Sequence, residues 1–320
     1  MKKAFIIIAI ILLILGCVIF FAALASAGFD FQNMRTSKLQ TKTYPVGEDF
    51  RNIRIDEDTA DVIFALSADG TCSVVCRESE RTTRTVTVEN GTLSIVSEER
   101  NGWKGLFDLS FENESVTVYL PKDAYETLVI ETHTGDTEIP QGLHFQSISV
   151  TGSTGDARCA ASATDGITIR MSTGDAILDG ASAGTIDCVV TTGDIRMQNV
   201  SCAGNVNLKL STGRTVADEL TCRDLHSEGS TGRVQLKNVV ASGTISIERS
   251  TGDVTLDNSD AGEIWVKTTT GDVTGSLRTG KTFVTKTSTG DVHVPESAAG
   301  GRCEISTTTG DIVIRIADGK

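Results

Sequence analysis

Eight aspartates that each follow a glycine are the residues best placed to do chemistry in this sequence. Repeated carboxylates could ligate calcium, as oxygen ligands do along a β-roll, or act in pairs as the acid and base of a glycan-cleaving enzyme. One carboxylate per repeat gives too few ligands for calcium, and the acids belong to the repeat instead of departing from it, as an active site would. We therefore predict no enzyme, no catalytic residues and no cofactor. A calcium column stays the rival interpretation of Asp136, Asp156, Asp175, Asp194, Asp253, Asp272, Asp291 and Asp311.

The glycine at each marker belongs to a Thr-Gly step that recurs ten times, at intervals of 19 or 20 residues. A fixed period of this size indicates units that stack on their neighbours. Glycine suits a tight corner that needs a positive φ, and the flanking Ser, Thr and Asp can hydrogen-bond the backbone groups that a turn leaves free. The turn glycines predicted in this way are Gly135, Gly155, Gly174, Gly193, Gly213, Gly232, Gly252, Gly271, Gly290 and Gly310.

Apolar residues alternate on both sides of each turn glycine. Around Gly252, for example, Val254 and Leu256 follow it while Ile245 and Ile247 precede it. This period of two predicts two short strands per repeat, each with one buried face. A second corner is predicted at the glycines nine residues before the next marker, which are Gly184, Gly204, Gly243, Gly262 and Gly301.

These repeats predict an all-β fold, a parallel β-helix-like solenoid of about ten rungs of 19–20 residues. Ten hairpins in one open sheet would have to curl, split or close. Winding each repeat as one rung instead places equivalent residues directly above one another in chain order. A meander of hairpins has the same periodicity and stays open as the alternative. In the solenoid the last rung would keep an uncovered edge, so we also predict end-to-end self-association through residues 311–316.

Threonine precedes the glycine in all ten repeats. Stacked rungs would align these hydroxyls in a column and could link one rung to the next. In two central repeats the aspartate is replaced by Arg214 and Arg233. We expect these arginines to divide the acidic column and to pair with Asp194 and Asp253.

Composition limits the classes of partner. The chain of 320 residues has a net charge of −13, which repels phosphate backbones, so we predict no nucleic-acid binding. Aromatic residues make up only 5%, so the core must be aliphatic. Cys202 and Cys222 occupy the same position in two successive repeats. Stacked strands would bring them within the distance that a disulfide tolerates, and whether they are oxidised stays open.

An uncharged apolar stretch over residues 4–25 follows two lysines. As a helix it would be about 33 Å long and could cross a bilayer core of about 30 Å, with the lysines favouring a cytoplasmic N-terminus. A cleaved signal ending at Ala27 and a lipoprotein box at Cys17 are the alternatives. The predicted organisation is an N-terminal transmembrane anchor or signal-anchor 1–27, a polar stalk 28–45, a β-rich capping region 46–125 and solenoid repeats 126–317.

The capping region carries a family resemblance where it meets the first repeat. The passage SVTVYLPKDAYETLVIETHTGD, which leads into the tandem STGD turns, resembles a bacterial "putative adhesin" family of β-strand-repeat proteins of unknown function. The resemblance covers residues 46–317 and departs mainly at Arg214 and Arg233. It implies a β-solenoid that is attached to the bacterial envelope or exported across it, and it carries over no catalytic residues.

Together these observations predict a single-pass protein of the cell membrane whose acidic, Thr-rich solenoid lies outside the cytoplasm. Its predicted function is that of an adhesin or a scaffolding surface, with a glycan or an envelope protein as the partner and the membrane bound through residues 4–25. The alternative is an envelope-stress sensor or regulatory subunit that binds a membrane partner.

Overall fold

The computed structural model describes residues 12–22, 39–79, 82–99, 114–296 and 299–317. Residues 12–22 form helix α1, and the other regular elements in these ranges are strands. The strands are β1 (Leu39–Val46), β2 (Asn52–Glu57), β3 (Ala60–Leu66), β4 (Cys72–Ser79), β5 (Thr82–Glu89), β6 (Thr92–Glu99), β7 (Glu114–Leu120), β8 (Ala124–Thr134), β9 (Thr137–Ile139), β10 (His144–Thr154), β11 (Ala157–Cys159), β12 (Ser162–Thr173), β13 (Ala176–Asp179), β14 (Ser182–Ala183), β15 (Ile186–Thr192), β16 (Ile195–Cys202), β17 (Asn205–Thr212), β18 (Thr215–Cys222), β19 (Asp224–Thr231), β20 (Val234–Lys237), β21 (Val240–Thr251), β22 (Val254–Thr270), β23 (Val273–Leu277), β24 (Thr282–Lys286), β25 (Val292–His293), β26 (Arg302–Ser306) and β27 (Ile312–Ile316).

Strands of neighbouring repeats pair in parallel, and the predicted all-β solenoid is thereby confirmed. One side of the rod runs through β8, β10, β12, β15, β17, β19 and β21. Another side runs through β9, β11, β13, β16, β18 and β20. Apolar columns fill the interior because equivalent residues are paired: Ile148 lies beside Ile167, Ile167 beside Ile186 and Ile186 beside Val206, all of them buried.

Each central rung changes direction three times, once more than the sequence predicted. The rung that begins at Gly193 (φ 140°) turns again at Asn199 (φ 52°) and bends at residues 203–204. The glycines predicted for the second corner do not adopt a positive φ but lie where rungs approach closely, since a Cβ on Gly204 would be 2.6 Å from the carbonyl oxygen of Gly184. The additional corner is a column of residues with positive φ, namely Asn199, Glu219, Asn238 and Asn258.

The predicted capping region supplies two rungs as well as most of a cover, and strand β1 of that cover comes from residues predicted as the polar stalk. Strands β2 and β3 form a rung that pairs with β8 and β9 on one side and with β6 and β7 on the other. The outermost rung, β6 and β7, is then covered by antiparallel strands, because β5 pairs with β6 while β4 pairs with both β7 and β1. This end of the rod is therefore closed by strands that run against the direction of the stack.

The opposite end departs from chain order. Strands β26 and β27, from the last repeat, lie between the rung of β22 and β23 and the rung of β24 and β25. Successive repeats therefore do not stack in sequence here, as we had predicted. Residues 311–316 are not the outermost rung, since β27 pairs with β23 along its whole length and with β25 at Ile312 and Val313. The predicted self-association through residues 311–316 stays a prediction.

Differences in apolar content account for this insertion. The inner positions of the last repeat are Cys303, Ile305, Ile312 and Ile314, which are 0 to 2% exposed. The preceding repeat has Phe283, Thr285, Val292 and Val294 at the equivalent positions, and Val292 is 40% exposed. Burying an Ile side chain contributes about 1.5–3 kcal/mol, so enclosing the more apolar repeat and leaving the repeat with a Thr outside is favoured.

Part of the predicted anchor lies outside the described residues. Of residues 4–25 the structure describes 12–22, which are helical. No helix in the described ranges combines the length and the apolar character that a bilayer crossing requires.

Candidate interaction surface

The turn glycines form one corner of the rod, and their geometry excludes any side chain. All ten have φ between 125° and 149°. At this corner successive rungs nearly touch: a Cβ on Gly174 would lie 1.8 Å from the carbonyl oxygen of Gly155. Both the backbone conformation and the close approach therefore require glycine.

The aspartates after these glycines form a ladder along the same corner. Oδ1 of an aspartate accepts a hydrogen bond from the backbone N–H of the equivalent residue in the next rung, as between Asp156 Oδ1 and Asp175 N at 2.9 Å. The ladder is interrupted where Arg214 and Arg233 replace the aspartate. The ladder begins one rung earlier than the sequence predicted, because Asp61 accepts from Asp136 N at 2.9 Å. At its far end the ladder follows the order of the rungs in the structure, with the last repeat inserted: Asp272 accepts from Asp311 N, and Asp311 accepts from Asp291 N.

Arginines neutralise the part of the ladder nearest the covered end. Arg214 Nη2 lies 2.6 Å from Asp194 Oδ2, as predicted, and Arg196 Nη2 lies 2.7 Å from the same oxygen. Burial opposes ionisation of Asp194, but the hydrogen bonds from Arg214 and Arg196 outweigh it and lower the pKa of the carboxyl to about 2. The ion pair predicted between Arg233 and Asp253 is not formed among the described residues.

A double row of hydroxyls runs beside the aspartate ladder. Each rung from residue 153 to residue 309 exposes two adjacent Ser or Thr side chains directly before its turn glycine. The threonines are in register, with Thr173 beside Thr192, Thr192 beside Thr212, and Thr309 bridging Thr270 and Thr289. We call these exposed pairs the hydroxyl corner. Its members are Ser153, Thr154, Ser172, Thr173, Thr191, Thr192, Ser211, Thr212, Ser230, Thr231, Ser250, Thr251, Thr269, Thr270, Ser288, Thr289, Thr308 and Thr309.

The structure gives the ladder carboxylates a structural use. One oxygen of each capping aspartate already accepts a backbone hydrogen bond, for example Asp175 Oδ1 from Asp194 N at 2.8 Å. Within the described ranges, no group of three or more His, Cys, Asp or Glu side chains is arranged to hold a metal ion. The calcium column stays a prediction.

The cysteines of the rod are buried thiols. Cys202 and Cys222, the pair that we considered for a disulfide, are both free. Burial raises the pKa of Cys222 to about 12, so its thiolate is disfavoured at neutral pH.

A buried charge cluster fixes the covered end, and sequence analysis missed it. Arg84 on β5 donates from Nε to Glu57 Oε1 at 2.9 Å and from Nη2 to Glu114 Oε2 at 2.8 Å, and its Nη1 also reaches Glu78. Burial raises the pKa of Glu57. Burial acts in the same direction on Glu114, but hydrogen bonds from Ser79, Arg84 and Thr82 outweigh it and lower the pKa of that carboxyl. These residues are scattered along the sequence, so no local pattern could reveal them.

Two aromatic side chains, Tyr119 on β7 and Trp265 on β22, are exposed on the exterior of the rod. Trp265 points outward from β22 and is 37% exposed. The Arg302 guanidinium carbon lies 5.0 Å from the centre of its ring. Sequence analysis did not single out Trp265. Its position between the inward-facing Ile264 and Val266 already predicted that its side chain lies on the outside of the strand.

Comparison with known families gives a match over most of the chain. Residues 50–213 and 203–320 match the family model described as Toastrack DUF4097. No protein with a curated description matches the chain.

Three solved structures are similar over most of their length. A "putative adhesin" from Parabacteroides distasonis is 12% identical, with a TM-score of 0.47 over 87% of this chain and 98% of that one. Another from Parabacteroides merdae is 10% identical, with a TM-score of 0.44 over 87% and 96%. A "putative lipid binding protein" from Parabacteroides distasonis is 11% identical, with a TM-score of 0.35 over 86% and 97%. At these identities and TM-scores we infer no function from them.

Proposed function

Because this chain belongs to the Toastrack DUF4097 family, whose description assigns no activity, we propose a function from its own surface: an extracytoplasmic adhesive or scaffolding rod. The observation that carries the proposal is the hydroxyl corner. It offers a long, regularly spaced, exposed row of hydrogen-bond donors and acceptors, with rungs about 4.8 Å apart. Its geometry is set by backbone pairing, so the surface is ordered before any partner binds.

The ligand class that fits this surface is an extended, polar glycan. Hydroxyl side chains both donate and accept hydrogen bonds, as sugar hydroxyls do. The net charge of −13 disfavours polyanions. The outward Trp265 adds an amphipathic ring on the exterior, of the kind enriched at binding surfaces.

We further propose that residues 4–25 anchor the protein in the cell membrane with the rod outside. The uncharged leader behind two lysines supports this placement. A chain that lacks residues 1–38 should then be released from membranes in cell fractionation. Retention of that truncated chain in the membrane fraction would argue against the anchor.

A glycan and envelope-protein binding screen tests the proposed function. The decisive variant replaces Thr192, Thr212 and Thr231 with Val, which removes three hydroxyls of the hydroxyl corner but keeps the shape and strand preference. We expect glycan binding to weaken at least tenfold. The matched control, Thr151→Val with Thr221→Val, removes exposed hydroxyls elsewhere on the rod and should leave binding unchanged.

The same screen separates adhesion from regulation. If the rod binds no glycan or cell surface, and its deletion abolishes an envelope stress response, the regulatory alternative replaces the proposed function. Equal loss of binding in the variant and the control would instead show that the hydroxyl corner is not the binding surface.

A further inference from the structure

The end of the rod opposite the cover is formed by residues 282–296, which we call the terminal rung. Its strands β24 and β25 each pair with the inserted last repeat on one side, through β26 and β27. Among the described residues no strand pairs with their other side. The outer edge of β24 therefore presents a row of backbone N–H and C=O groups that can accept another strand.

The side chains of this edge suit pairing with a strand. The sequence of β24 is Thr-Phe-Val-Thr-Lys, in which β-branched and aromatic residues predominate. Val284 points outward and is 44% exposed, while Phe283 packs against the open end of the core. A partner strand on this edge would bury both.

The charge of the terminal rung points to a second copy of this chain as that partner. The chain as a whole carries −13, so two copies repel each other along most of their surface. The terminal rung contains one lysine, Lys286, and two acids, Asp291 and Glu296, a net charge of −1, and both acids lie outside β24. Contact through β24 therefore places no carboxylate of one copy opposite a carboxylate of the other.

The covered end cannot serve as the complementary surface for a head-to-tail contact. Its edge strand β1 contains Lys42 and Pro45, and its other edge strand, β5, carries the inward-pointing charge of Arg84, all features that disfavour strand addition. A contact that uses the same open edge on both copies is therefore the alternative that remains, and such a contact is two-fold symmetric.

We propose that two copies associate end to end through β24, paired antiparallel about a two-fold axis at Val284. In this register Val284 faces Val284 of the second copy, Phe283 faces Thr285, and Thr282 faces Lys286. No like charges are opposed, and a β-branched pair occupies the centre of the outer face. The terminal rungs of the two copies thereby close each other's cores.

Sedimentation of the full chain in mild detergent tests the dimer. We expect a reversible dimer that Val284→Lys weakens at least tenfold, because two lysines would then face each other across the axis. Thr255→Lys, on the outward side of an interior strand with uncharged neighbours Gln235 and Thr274, should not change the dissociation constant. A monomeric wild-type chain, or equal effects of the two variants, would overturn the proposal.

Cysteine trapping tests the register. Residues opposite each other in antiparallel strands have Cα atoms about 4.5–5.5 Å apart, within the range that disulfides tolerate. In a Cys17→Ser background, Val284→Cys should give an oxidised dimer, whereas Thr255→Cys should not. The native rod cysteines are buried and should not interfere. Absence of the Val284→Cys cross-link in a chain that still dimerises would exclude this pairing.

Discussion

At the scale of single residues, the aspartate after each turn glycine joins one rung to the next. Asp194 shows both of its roles, since Oδ1 accepts from the backbone N–H of Arg214 at 2.8 Å and Oδ2 accepts from the Arg214 side chain. The first bond satisfies a backbone donor at a tight corner. The second adds a charge-assisted bond, which is stronger than a neutral one.

Substitutions at Asp194 should separate these two roles. Asp194→Asn keeps an oxygen for the Arg214 N–H but loses the charge, and we expect it to lower the free energy of unfolding at pH 7 by about 1–2 kcal/mol. The folded pKa of about 2 lies below the ordinary value of about 3.9. The stabilisation is therefore present above pH ~4 and is lost as the pH falls towards 2, so wild type and variant should converge there.

Urea unfolding at pH 7, 4 and 2.5 measures this effect. The matched control is Asp253→Asn, because Asp253 occupies the same ladder position and accepts from Asp272 N at 3.1 Å. No ion pair to Asp253 is formed among the described residues, so we expect a smaller loss at pH 7. A gap between wild type and Asp194→Asn that stays constant with pH would contradict the ion-pair role.

At the scale of elements, both ends of the rod use rungs out of chain order. The rung of β2 and β3 lies inside the later rung of β6 and β7, and the last repeat lies inside the terminal rung. Terminal units of a stacked structure must limit the apolar surface that they expose. At the far end this is achieved by placing the more apolar last repeat inside the less apolar terminal rung, whereas at the covered end the antiparallel strands β1, β4 and β5 cover the outer rung.

Engineered disulfides should report the order of the rungs at the far end. Lys267 pairs with Ser306, and Ser306 pairs with Lys286, whereas Lys267 and Lys286 are separated by the inserted strand. Cysteines at 267 and 306, or at 306 and 286, should therefore form intramolecular disulfides, since neighbouring strands lie about 4.8 Å apart. Cysteines at 267 and 286 should not. Mass spectrometry after mild oxidation detects all three disulfides. A disulfide between positions 267 and 286 would show that the rungs stack in chain order and would contradict the insertion of the last repeat.

At the scale of the whole molecule, the two ends of the rod differ. Strand β1, the first described strand, lies at the covered end, so the leader joins the rod there. The terminal rung lies at the opposite end, beyond the stacked repeats. If the leader is held in a membrane, as we propose, the terminal rung is the end of the rod remote from the leader, and end-to-end pairing of rods from two membranes would join those membranes.

Vesicle clustering tests this combination of the two proposals. Full-length protein reconstituted into two vesicle populations with different dyes should bring the dyes together, as measured by light scattering and two-colour coincidence. Val284→Lys should abolish the clustering and Thr255→Lys should not. Clustering that Val284→Lys leaves intact would show that opposing rods meet through another surface.

The sequence alone determined the repeat, the strands and their buried faces, because these features depend on residues that are close together in the chain. A corner with positive φ and no room for a Cβ requires glycine, and the residue after it is positioned to cap the next rung, so Gly193 and Asp194 revealed the repeat. Alternation of apolar residues then fixed the strands and their buried faces. The Toastrack DUF4097 family match is consistent with that reading.

Only the tertiary structure decided the order of the rungs, the third corner at Asn199 and the Arg84 cluster. Each repeat offers nearly the same edge to its neighbours, so pairing partners are set by small differences in burial summed over the whole stack, such as Ile305 against Thr285. The Arg84 cluster depends on strands far apart in the chain, and such contacts leave no periodic trace in the sequence. For that reason the outermost rung at this end is residues 282–296 and not the last repeat with β27.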